Sequence, residues 1–171
     1  MIRTLAIGIL STFILACEKL PDPLVPDTPR EENNEGKENN GNDNSRETDT
    51  TMPETIKITV SGKTLPVKIE ENETTKALVA VLREASITYE AHDYGGFEKV
   101  GPLGLTLPAN NSQITTQPGD VILYSGNQIV LFYGSNTWSY TRIGKMQYGS
   151  LDELKSFLKA GEGNIFVTLS L

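Results

Sequence analysis

Arg142 lies in the aromatic-rich segment Trp138 to Ile143. A guanidinium there can donate to an amide or carbonyl more strongly in a transition state than in the ground state, which needs no nucleophile. The same side chain can instead contact a ligand, or lay its stem on the fold and pair with an acid such as Asp120. The sequence leaves these three roles open, and Arg142 is the only catalytic candidate. Trp138, Tyr140 and Tyr133 are amphipathic rings that suit a cleft wall or, equally, packing with polar tips at a rim. Phe97 and Glu98 follow the turn residues Tyr94-Gly95-Gly96 and are candidate contacts at the lip of a groove. His92-Asp93 invites an acid–base reading, but no Gly-x-Ser-x-Gly elbow accompanies it, and a solvated loop is the expectation. Gly161-Glu162-Gly163 precedes a strand rather than a helix, so it is no phosphate loop.

Composition narrows the chemistry further. The chain has 171 residues, one cysteine (Cys17) and one histidine (His92). That excludes a disulfide framework, a cysteine zinc site and any centre needing two imidazoles. No metal and no cofactor is expected. The formal net charge is −7, and it resides in one segment. Residues 18–55 hold 11 acids and 4 bases, residues 56–171 hold 11 acids and 10 bases. With no basic face to neutralise phosphates, nucleic acid is not an expected partner.

Three unlike parts must position these residues. Arg3 and the apolar run Leu5 to Leu15 have the form of a secretory signal, too short for a membrane span of roughly 20 residues. Residues 18–55 carry Pro21, Pro23, Pro26 and Pro29 and then a Glu/Asn/Gly/Asp run without an aromatic residue. Such a segment has almost nothing to bury and reads as an acidic tether, with a coil span of about 35 Å. Residues 56–171 read as one mostly β domain. Ile56, Ile58 and Val60, the turn Ser61-Gly62, and Leu65, Val67 and Ile69 predict a hairpin with one buried face. Asn72 caps a helix carrying Ala77, Leu78, Val81, Leu82 and Ala85 on one side. Val121 to Tyr124 and Ile129 to Tyr133 are continuously apolar, so that hairpin is expected to be covered on both sides. Ser150-Leu151-Asp152-Glu153 predicts a capping box, Gly161 a helix stop, and Ile165, Val167 and Leu169 a paired last strand. Many short strands with two short helices predict a small closed β-barrel.

Ile14-Leu15-Ala16-Cys17 resembles the lipobox of bacterial lipoproteins, with Leu15 where a smaller or β-branched residue is commoner. The resemblance implies cleavage after residue 16, a lipidated Cys17, residues 17–55 as tether, and a place in the bacterial cell envelope. Stacked acyl chains would hold such a protein on a membrane, at about 0.8 kcal/mol per buried CH₂. Residues 56–171 resemble the cyclophilin-like domains found alone or beside flavodoxin-type domains in bacteria. The resemblance is carried by Ile56-Lys57-Ile58-Thr59-Val60, Asn72-Glu73-Thr74 leading into Lys76-Ala77-Leu78, Gly119-Asp120-Val121-Ile122-Leu123-Tyr124, and Ser139-Tyr140-Thr141-Arg142-Ile143-Gly144. It implies a closed cyclophilin-like barrel with a helix near each end, and no particular chemistry. The Phe, Gln and His motifs of true isomerases are not recognisable around Arg142. The expectation is a binding module for a small molecule or peptide segment at Arg142, Tyr140, Trp138, Tyr133, Phe97 and Glu98. An envelope prolyl isomerase and a structural subunit of a surface complex are the alternatives.

Overall fold

Ile56, Ile58 and Val60 alternate with Lys57 and Thr59, and the chain there is an extended strand that buries the three apolar side chains. The computed structural model describes residues 51–171. The signal, the lipidated cysteine and nearly all of the tether expected from the sequence lie outside the described residues. Nine strands and two helices follow in order: β1 Thr55–Val60, β2 Lys63–Ile69, α1 Glu73–Glu84, β3 Ile87–Tyr94, β4 Glu98–Pro102, β5 Ser112–Thr115, β6 Asp120–Tyr124, β7 Gln128–Phe132, β8 Thr137–Met146, α2 Leu151–Phe157 and β9 Ile165–Ser170. Two of the hairpins turn through Ser-Gly pairs. Ser61 and Gly62 have φ of 49° and 78°, and Ser125 and Gly126 have 51° and 75°. Two successive residues at positive φ give a turn whose twist matches that of the strands it joins.

The strands pair in the order β2-β1-β9-β3-β4-β7-β6-β8, and β8 returns to β2, so eight antiparallel strands close into a barrel. The ninth, β5, hangs on the outer half of β8. Closure depends on Val67, Lys68 and Ile69 meeting Met146, Lys145 and Gly144. A Cβ added at Gly144 would sit 2.3 Å from the Lys68 carbonyl oxygen. Gly144→Ala is therefore expected to force the seam apart and destabilise the fold by about 1–3 kcal/mol. Chemical denaturation checks this, and a midpoint equal to wild type would refute it.

Two apolar layers result. The main core gathers Ile56, Ile58, Val67, Leu123, Ile129, Leu131, Ile143 and Val167 with Leu78, Val79 and Leu82 of α1 and Leu154 and Phe157 of α2. A smaller cluster of Val100, Ile122, Val130, Phe132 and Tyr140 lies on the other side of the same sheet. Alternation along β6 and β7 sends Val121, Leu123, Ile129 and Leu131 to the first and Ile122, Val130 and Phe132 to the second. This is why that hairpin is apolar throughout.

Asn72 caps α1 by accepting the Thr75 N–H at 2.9 Å, while the Thr75 hydroxyl accepts the Asn72 N–H at 3.0 Å. The buried stripe of α1 is Leu78, Val79 and Leu82, with Val79 in place of the expected Val81 and Ala85. At α2 the reciprocal half of the capping box is displaced: Ser150 Oγ accepts from Glu153 N, but the Glu153 carboxylate takes the N–H of Gly149 rather than of Ser150. The segment Trp138 to Met146 is part of the single ten-residue strand β8.

Candidate functional site

Strand alternation decides which side chains stand outside the barrel over the smaller apolar cluster. On β3 and β4 the register pairs His92 with Val100 and Tyr94 with Glu98. On β4 and β7 it pairs Val100 with Val130, and on β6 and β7 Tyr124 with Gln128. Trp138 and Tyr140 complete the ring from β8, and Asn136 closes it from the preceding loop. Together they line an open cleft of about 400 Å³. Val100, Val130 and Tyr140 form part of its apolar floor and wall. Tyr140 is held in place by edge-on contacts with Tyr124 and Phe132, at ring separations of 6.0 and 5.8 Å. Its hydroxyl accepts from Asn136 Nδ2 at 3.0 Å, while burial raises its pKa. Trp138, in contrast, is exposed at the rim.

Glu98 is the unusual member. It is only 6 % exposed, and its Oε2 has no hydrogen-bond partner among the described residues. Burial without a partner disfavours the ionised form, and the carboxyl is pushed up to about 7. Its neighbour Lys99 points to the opposite side of β4 and is completely buried. There Lys99 Nζ lies 2.8 Å from Asp93 Oδ2 and donates to the Gly163 carbonyl. Asp93 also accepts N–H groups from Gly161 and Gly163, at 3.1 and 2.9 Å, and the Tyr133 hydroxyl at 3.0 Å. Desolvation opposes ionisation of Asp93, but these four donors outweigh it and hold the carboxyl below its ordinary value. Tyr133 in turn is pushed up to about 12 by burial and by Asp93.

Of the six ligand-contact candidates read from the sequence, Glu98, Trp138 and Tyr140 line the cleft. Tyr133 belongs to the main core with its hydroxyl on Asp93. Phe97 stacks against Phe132 at 6.3 Å, supporting the smaller cluster from the side. Arg142 is held between two carboxylates, with Nη1 2.7 Å from Asp120 Oδ2 and Nε 3.3 Å from Glu70 Oε1, and is not among the cleft residues. Asp120 also binds Lys145 at 3.3 Å. The His92-Asp93 pair is no solvated loop. Both residues lie in β3, where alternation sends His92 to the cleft and Asp93 to the buried lysine. Sequence reasoning missed Tyr124, Gln128 and Asn136; the register of β6 on β7 would have found the first two. Among the described residues no group of three or more His, Cys, Asp or Glu side chains could hold a metal ion.

A closed eight-stranded antiparallel barrel with a helix near each end and an aromatic cleft on its outer wall defines a cyclophilin-like barrel domain. The model of the cyclophilin-like family matches residues 58–170, and the chain belongs to that family. A solution structure of a hypothetical protein from Archaeoglobus fulgidus shares the fold, at a TM-score of 0.50 and 16% identity over 70% of this chain and 95% of the other. No curated protein matches the chain.

Proposed function

We propose that this chain is a lipid-anchored binding module of the bacterial cell envelope, tethered through Cys17, that takes a small molecule or a peptide segment in its outer-wall cleft. The observation that carries the binding half is the cleft itself: about 400 Å³ with four aromatic rings and a buried carboxyl. That volume and mixture of apolar wall with a few polar groups is usual for ligand sites. The anchor rests on the apolar run that ends at the only cysteine. Isomerase chemistry is not favoured, because Arg142 is engaged by Asp120 and Glu70 away from the cleft.

Two measurements test the reading. Thermal denaturation of the full chain against metabolite and short-peptide collections is expected to yield a stabilising compound whose affinity falls at least tenfold in Trp138→Ala. Trp138 is exposed, so that substitution leaves the core intact. Proline-isomerase turnover without any such compound would overturn the binding reading. Fractionation of Cys17→Ser is expected to move the protein from membrane to soluble fraction. Membrane retention of that variant, with no acyl mass on the wild type, would overturn the anchor.

A further inference from the structure

We infer that the cleft receives a cationic group, an ammonium or guanidinium, with Glu98 as its counter-ion and the rings of Tyr124, Trp138 and Tyr140 around it. This rests on the cleft being a binding site and names the chemistry of its ligand. Glu98 is 6 % exposed and its Oε2 has no partner among the described residues. A buried carboxyl in that condition is costly unless something outside the protein satisfies it.

Three of the protein's own cations are committed elsewhere. Lys99 is bound to Asp93 behind the sheet, and Arg142 and Lys145 are bound to Asp120. Among the residues lining the cleft Glu98 is the one carboxyl and His92 the one imidazole, and none is a lysine or an arginine. Aromatic faces attract cations through their ring quadrupole, most strongly where water is excluded. A buried acid beneath tyrosine and tryptophan rings therefore selects for positive charge and against anions.

Trp138 is the only tryptophan in the chain and stands at the rim, so its fluorescence reports directly on the cleft. The full chain at pH 8 is titrated with butylammonium, with N-acetyl-lysine methylamide, and with their neutral counterparts butanol and the Nε-acetylated lysine amide. The charged probes are expected to saturate the signal at millimolar concentration, the neutral ones to bind at least tenfold more weakly. Glu98→Gln, nearly isosteric, is expected to remove the difference. Tighter binding of the lysine amide than of butylammonium assigns the cation to a peptide; equal binding assigns it to a free amine. Neutral probes that bind as well as charged ones, or a Glu98→Gln variant that keeps the preference, would overturn the inference while leaving the cleft a binding site. No response to any probe, with a collection compound still stabilising the protein through Trp138, would overturn it too. If the variant does not fold, the charged-versus-neutral contrast in the wild type decides alone.

Discussion

Asp93→Ala is expected to destabilise the domain by about 3–5 kcal/mol, the loss that follows when one member of a buried ion pair is removed. The reason lies with the partner left behind. Lys99 Nζ is completely buried, and without Asp93 only the Gly163 carbonyl remains to receive its protons. The same substitution strips acceptors from the N–H groups of Gly161 and Gly163 and from the Tyr133 hydroxyl. Lys99→Met is expected to cost less, because Asp93 keeps three donors and some exposure to water. Urea denaturation of both variants checks the order; an Asp93→Ala midpoint close to wild type would refute it. The sign with pH follows from the lowered carboxyl. The unfolded state takes up its proton first as pH falls, so the contribution is present above the ordinary carboxylate range and lost on acidification through the native value.

Glu98 works in the opposite direction. Its carboxyl titrates at about 7 in the native state and near 4.3 when unfolded. Between those values the native state holds the extra proton, so stability falls as pH rises and levels off above 7. The displacement corresponds to no more than about 4 kcal/mol at one pH unit per 1.36 kcal/mol. Glu98→Gln is expected to flatten that part of the profile and to be more stable than wild type at pH 8. Denaturation midpoints at pH 5, 6, 7 and 8 for both proteins decide it; parallel profiles would show that Glu98 is not the source.

The legible parts of the fold are those where one local pattern has one physical outcome. Ile56, Ile58 and Val60 read as a one-sided strand, Asn72 before Glu73 as a helix start, and the doubly apolar β6–β7 hairpin as covered on both faces. The site was harder because its members come from five strands and meet only through register. Glu98 and Lys99 are adjacent charges in the sequence, and nothing local says that one faces an aromatic cleft and the other a half-buried aspartate. Arg142 stood out for its aromatic neighbours, yet its fate was set by Asp120, on the adjacent strand. Tyr133 looked like a rim residue because a phenol suits a rim; Asp93 gave its hydroxyl an acceptor within the fold instead.

The place of β9 in the sheet has a consequence for how the molecule comes into being. Ile165–Ser170 is the last of the described strands, yet it lies between β1 and β3, two of the earliest of them, pairing with both. Until those six residues have emerged from the ribosome, the first hairpin can meet the rest of the wall only along the β2–β8 seam, and the barrel stays open between β1 and β3. Partial chains can form local hairpins but cannot close. Closure thus waits for β9, and its contacts with β1 span about a hundred residues, a topology that folds slowly, in milliseconds to seconds.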